Sequence, residues 1–200
     1  MIVITADQRN SRGTPDAAGS ALTDLTAAWG HRLTLPVERS AGDEIQAVTA
    51  SAEVAMGIVL QLTRTQRWSV GVGTGEVALG GNTRESTGPA FVAARRAVDR
   101  AKKRPTHFAL ESEPDAQLTI HVESLVDLLL MLRQRRTEPG WQLFDLLADG
   151  GTQIEAARTL GITPQSVSER AITAAVRADE AATVALASIL SMVDNGTSRS

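Results

Sequence analysis

Residues 152–175, TQIEAARTLGITPQSVSERAITAA, read as two short helices joined at a tight corner. Thr152 stands three residues before Glu155, the capping-box spacing in which each residue satisfies a free backbone donor of the other. Ala157 is small where two helices must approach, and Gly161, four residues on, supplies the positive φ of the turn. Thr163 then caps a second helix, with Pro164 at its first position, where the missing N–H costs nothing. Val167, six residues after the glycine, falls on the face that packs against the first helix. That leaves Gln165, Ser166, Ser168, Glu169 and Arg170 near the start of the second helix, where a recognition helix meets base edges and phosphates. The same spacing also occurs in helix pairs that only hold proteins together.

Charge argues against DNA. From residue 140 onward, Arg158, Arg170, Arg177 and Arg199 face Asp145, Asp149, Glu155, Glu169, Asp179, Glu180 and Asp194, which leaves that region at −3. Sequence-independent affinity comes from phosphate neutralisation, so one such helix pair binds weakly. Two copies in a homodimer, or basic residues borrowed from elsewhere, would be needed. The chain holds two reserves, Arg95, Arg96, Arg100, Lys102, Lys103 and Arg104 in one cluster and Arg133, Arg135 and Arg136 in another. Each alone also reads as a solvated helix end.

Two hundred residues, 42% of them hydrophobic, suffice for a proper core and one or two domains. The absence of cysteine excludes disulfides, zinc–thiolate sites and cysteine nucleophiles, and fits a reducing cytoplasm. The start, MIVITAD, lacks the basic region and long apolar core of a signal peptide. The longest apolar stretch, residues 125–132, is too short to span a bilayer. A soluble cytoplasmic protein without membrane contact is expected.

Upstream of the helix pair, periodicity predicts strands near 2–5, 31–37, 45–49, 68–77 and 107–110, with helices near 16–29, 54–62 and 89–103. Gly42-Asp43 marks a hairpin tip. The order β-α-β-β-α-β-α-β predicts an α+β fold, a ferredoxin-like (cyclase- or palm-like) antiparallel sheet with helices on one face, followed by an all-α helix-turn-helix domain. A linker at 111–117 divides the chain into residues 1–112 and 118–194, with 195–200 as a frayed tail. The C-terminal part is expected to hold helices near 121–136 and 140–148. One long helix over 164–193 follows, with an apolar stripe from Val167 and Ala171 through Ala178, Ala181 and Ala185 to Ile189 and Met192.

Asp7 ends the first strand and Asp43-Glu44 occupies the hairpin tip. If strand and hairpin are neighbours, these carboxylates converge and are best tolerated around Mg²⁺ or Mn²⁺. Arg9, Arg12 and Arg39 lie close in sequence, where they can contact phosphates. The competing reading is a solvated strand end with ordinary turn residues.

The run VGVGTGEVALG followed by GPAFVAARR resembles the central strand and helix of class III nucleotidyl cyclase domains. Gly42-Asp43 is similar to their metal-bearing hairpin and Asp7 to their first-strand metal aspartate. The whole chain is more similar to the SatD family, which joins such a domain to a C-terminal helix-turn-helix. The shared pieces are Asp7 with Ser11-Arg12, residues 42–46, residues 88–90, Ala94-Arg95 and residues 152–170. The resemblance implies that Asp7 and Asp43 are metal ligands and that Arg95 stabilises a transition state. It places Arg39 where cyclases tend to carry a purine-reading lysine. Phe91 departs from the pattern, standing where cyclases need a ribose-orienting asparagine, and a phenyl ring makes no such hydrogen bond. The expected function is a DNA-binding transcriptional regulator whose cyclase-like domain mediates assembly or senses a ligand without catalysis. The alternative is a metal-dependent nucleotide-binding protein or divergent cyclase-like enzyme.

Overall fold

The computed structural model describes residues 1–10, 16–40, 42–112 and 116–197; Ser11, Arg12, residues 113–115 of the expected linker and residues 198–200 lie outside them. Strand β1 (Ile2–Gln8) is followed by helix α1 (Ala18–Trp29), strands β2 (Leu35–Arg39) and β3 (Glu44–Thr49), helix α2 (Ala52–Arg64), strand β4 (Trp68–Thr74), helix α3 (Pro89–Ala101) and strand β5 (Phe108–Ser112). Five helices follow: α4 (Ala116–Gln134), α5 (Glu138–Ala148), α6 (Gln153–Leu160), α7 (Pro164–Thr173) and α8 (Val176–Thr197). The fold is α+β. The strands form one sheet in the order β2-β3-β1-β4-β5. All neighbours are antiparallel except β4 and β5, which run parallel because α3 carries the chain back across the sheet.

Helices cover both faces of this mixed sheet, not one. Successive residues of a strand point to opposite faces, so Ile2, Ile4 and Ala6 enter the main core, where α1 and α2 lie. Val3, with Val48, instead packs against Ala90 and Ala94 of α3. The glycines of β4 explain how closely α3 approaches. A Cβ at Gly71 would lie 2.1 Å from the Val98 nitrogen, and one at Gly73 2.3 Å from the Ala90 oxygen.

The main core runs across the boundary expected at 111–117. Val122, Val126, Leu129 and Leu130 of α4, and Leu186, Leu190 and Val193 of α8, share one cluster with the sheet and α2. A separate small core, Leu143, Ala156, Ala157 and Val167, holds α5, α6 and α7 together. Helix α8 runs on through residues 195–197, expected in the frayed tail, and Asp194 within it accepts a 2.6 Å contact from the Met1 ammonium.

Two further expectations are corrected. Residues 30–32, His31 among them, form a 3₁₀ turn ahead of β2. The single long helix over 164–193 is two helices, because Ala175 takes φ +53° and the chain turns between α7 and α8. The break turns the expected stripe outward on α8, where Ala178, Ala181, Ala185 and Met192 are exposed. Leu186, Ala187, Leu190 and Val193 are buried instead.

Candidate functional site

The α6–α7 corner forms as its sequence dictates. The Thr152 hydroxyl accepts from the Glu155 N–H, and Glu155 returns the bond to the Thr152 N–H at 2.8 Å. The Thr152 N–H and the Thr152 hydroxyl, both donating to the Glu155 carboxylate, hold it below its usual range. Gly161 is left-handed at φ +65°, and the Ile162 N–H reaches back to the Ala157 oxygen at 3.0 Å. Thr163 caps α7 at the Ser166 N–H, and Val167 is fully buried beside Ala157. With the inner side of α7 packed through Val167, Gln165 and Glu169 are exposed and hydrogen-bonded to each other at 3.0 Å. Ser166, Ser168 and Arg170 are partly exposed, and Ile154 and Ile172 stand out at 65% and 77%. Near this corner, Arg158 and Arg177 are exposed.

The basic reserves are largely spent inside the protein. Arg133 and Arg136 are buried around Asp179, leaving Arg135 exposed from that cluster. On α3 and the turn after it, Arg95 pairs with Glu44, Arg100 with Glu111 and Glu123, Lys102 with Asp7, and Arg104 with Glu123 and Asp127. These pairs fasten α3 to the sheet and to α4, so the cationic field available to a nucleic acid is smaller than the residue count suggests.

The carboxylates meet at one end of the sheet, on the face covered by α3. Asp7 lies opposite Glu44 in the β1–β3 register and opposite Ser69 in β1–β4. An open cavity of about 650 Å³ is lined there by Asp7, Arg9, Asp43, Ser69, Lys102 and His107, with Gln8 and Asn10. Glu44 is buried, and its carboxyl is pushed above the usual range by burial, against the pull of Arg95 and a Ser40 hydrogen bond and reinforced by Asp7. Lys102 Nζ stands 3.4 Å from Asp7 Oδ1. Among the described residues, no three carboxylate or imidazole groups converge as a metal set. Of Asp7, Asp43 and Glu44, Glu44 turns to Arg95 and Asp7 has Lys102 beside it, while Asp7 and Asp43 both line the cavity.

The expected phosphate-binding residues separate. Arg9 lines the cavity while donating to the Gln66 oxygen at 2.6 Å. Arg39 is drawn to Asp16, and Arg95 lies over Glu44. Phe91 packs against the Val3–Val48–Ala90–Ala94 cluster, so the ring in the asparagine position is a packing residue.

His107 is one of the cavity residues that sequence reasoning missed, with Ser69 and Lys102. It takes φ +53°, a conformation uncommon outside glycine, and its Nδ1 is buried without a hydrogen-bond partner among the described residues. Burial and the neighbouring Arg9 charge lower its pKa, favouring the neutral ring. The signal available in sequence was weak: a lone histidine before a short strand.

No known protein family, curated protein or solved structure matches the chain.

The raised Glu44 pKa has a thermodynamic consequence. The folded state holds this proton more tightly than the unfolded chain, so stability falls as pH rises from the ordinary glutamate value of about 4.3 through the folded pKa. Glu44→Gln is expected to flatten that decline in melting temperature measured between about pH 4 and 7. Parallel profiles for the two proteins would show that Glu44 does not titrate abnormally.

Proposed function

We propose that this protein is a SatD-like, DNA-binding transcriptional regulator that acts as a cytoplasmic homodimer. Residues 152–173 serve as its helix-turn-helix. The strand order β2-β3-β1-β4 with the connectivity β-α-β-β-α-β supports a ferredoxin-like reading of residues 2–74, with α3 and β5 added. That half mediates assembly or senses a ligand. The observation that carries the DNA reading is the α6–α7 corner itself. Both helices are capped, a left-handed glycine makes the turn, Ala157 and Val167 share one buried core, and the first turns of α7 lie at the surface. Such a corner presents Gln165, Ser166, Glu169 and Arg170 to a major groove. Ser168, nearer the packed side, is a phosphate-contact candidate.

The phosphate-neutralising set is small, Arg158, Arg170 and Arg177 per copy, so pairing two copies on one duplex supports binding that one copy would not sustain. The test is binding to DNA from the protein's own upstream region against a scrambled duplex at two salt concentrations. Gln165→Ala and Arg170→Ala are each expected to cost roughly 1–3 kcal/mol, about 5- to 150-fold in affinity, on the specific duplex only. Equal affinity of wild type and both variants would reject the recognition-helix assignment.

The cavity at Asp7 favours a second reading, a metal-dependent nucleotide-binding protein or divergent cyclase-like enzyme. Arg9, Lys102 and His107 share with the two aspartates the lining of a space large enough for a polar ligand, Lys102 standing 3.4 Å from Asp7. Calorimetry with ATP tests it: Lys102→Ala should abolish the heat of binding, and no heat with wild type would remove this reading.

A further inference from the structure

Four helices converge on an open cavity of about 560 Å³, a volume within the range that small-molecule sites occupy. Leu147 of α5, Ile172 of α7 and Val176 of α8 give it an apolar lining, Gln153 of α6 and Ser168 of α7 add polar groups, and Arg177 and Glu180 of α8 carry charge. Three features set this lining apart from an ordinary solvated surface. Ile172 is 77% exposed, the highest value among the exposed large hydrophobic residues of the described structure. Arg177 and Glu180 stand three residues apart on α8, the spacing at which opposite charges on a helix pair. Among the described residues, however, neither makes a hydrogen bond or an ion pair. Asp179, between them, turns inward to Arg133 and Arg136, so one cation and one anion are left free at the cavity. Ala175, which also lines it, is left-handed at φ +53° where the chain passes from α7 to α8. Backbone strain of this kind concentrates at ligand clamps and switch segments.

We infer that this cavity binds a free amino acid with a large apolar side chain. Such a ligand carries a carboxylate, an ammonium and the apolar group on one carbon. Arg177 is the carboxylate partner, through the parallel N–H donors of its guanidinium, and Glu180 accepts from the ammonium. The ligand side chain then lies against Leu147, Ile172 and Val176 and takes out of water the apolar surface that Ile172 exposes. One charge of each sign at the cavity discriminates by repulsion as well as attraction. A simple carboxylate or a phosphate meets Glu180, and a simple amine meets Arg177, each without a counter-group of its own. A wholly apolar ligand would desolvate both charges and pair neither. The ligand touches α7 and α8 on either side of Ala175 and so holds the two helices at one angle. What that angle does to DNA rests on the recognition role proposed for α7; the binding itself does not.

Titration of the full chain with L-phenylalanine and with L-leucine, followed by amide NMR, tests the assignment. Saturable shifts are expected around the cavity, at Ser168, Ile172 and Arg177 among others, with midpoints in the millimolar range. Arg177→Ala and Glu180→Ala, both at exposed positions, should each weaken binding about three- to fivefold while the circular dichroism spectrum stays that of the wild type. Arg158→Ala, exposed on α6 and outside the cavity, should leave the affinity unchanged. Phenylpropionate, which lacks the ammonium, and phenethylamine, which lacks the carboxylate, should each bind at least about threefold more weakly than phenylalanine. Absence of saturable shifts with both amino acids overturns the inference. So does phenylpropionate binding as tightly as phenylalanine, and so do shifts centred away from the cavity. No DNA enters the titration, so a failure here leaves the proposed function standing, and a failure of DNA binding leaves this inference standing.

Discussion

Asp179→Ala is expected to lower the unfolding free energy by about 3–5 kcal/mol, because it strands two buried guanidinium groups on each other. The Asp179 side chain is 2% exposed, with Arg133 and Arg136 at 8% and 1%. Its carboxylate accepts from Arg133 at 2.7 and 2.8 Å and from Arg136 at 2.7 Å. Arg136 also donates to the Ala174 oxygen at 2.9 Å, closing the end of α7 where the chain turns into α8. Both cations lie over aromatic faces, Arg136 at 4.4 Å from the Trp141 ring centre and 4.3 Å from that of Phe144. Arg64 of α2 covers Trp141 at 4.2 Å and holds Asp145 through two 2.7 Å bonds. One cluster thus ties α2, α4, α5 and α8 to the end of α7. Burial pulls the Arg133 pKa down, and Asp179 is the main group opposing that shift. Urea unfolding measures the loss. Replacing all three residues with apolar ones, Asp179→Leu with Arg133→Met and Arg136→Met, should recover most of it, since exchanging a whole buried ion cluster is often neutral or stabilising. A loss below about 1 kcal/mol for Asp179→Ala would mean that water reaches the cluster.

Gly71→Ala is expected to cost ~3 kcal/mol or more, at the upper end for overpacking, because the added methyl meets backbone and not a movable side chain. Val98 nitrogen lies 2.1 Å and Ala94 oxygen 2.6 Å from the position of its Cβ. The spacing of the contact is geometric. Two strand residues advance about 6.6 Å and four helix residues about 6 Å, so Gly71 and Gly73 fall in step with Val98, Ala94 and Ala90. Relieving the clash means lifting α3 off β4, which also disturbs the Glu44–Arg95 and Asp7–Lys102 pairs at the sheet end. For a chain of this size the loss corresponds to a melting temperature lower by roughly 6–12 °C. Gly19→Ala in α1 is the control: nothing lies within 4 Å of its Cβ, and a helical alanine should stabilise by roughly 0.5–1 kcal/mol. If the two variants melt alike, α3 does not rest on the glycines.

What could be read in advance was local. Caps, turn residues and periodicity act within a few residues, so the α6–α7 corner, the Gly42-Asp43 tip and the element order were legible in the chain. The misreadings were at long range. The apolar stripe of residues 164–193 looked continuous because periodicity does not register a single positive φ at Ala175, beside which Arg136, from the turn between α4 and α5, holds the Ala174 oxygen. Arg133 and Arg136 looked like a surface patch because a charge run does not show which carboxylate will cover it. His107 had no sequence signature, since its place in the cavity depends on how α3 delivers the chain to β5.

By itself, the sequence determined most of the secondary-structure elements, their order up to α7 and the corner of helices α6 and α7, because each depends on interactions spanning only a few residues. Only the tertiary structure decided which charges are buried, which carboxylates remain beside the cavity and which apolar stripe faces outward. Those outcomes depend on desolvation and pairing between groups as far apart as Arg64 and Asp145, and the free energy of a charge is set by what surrounds it in space.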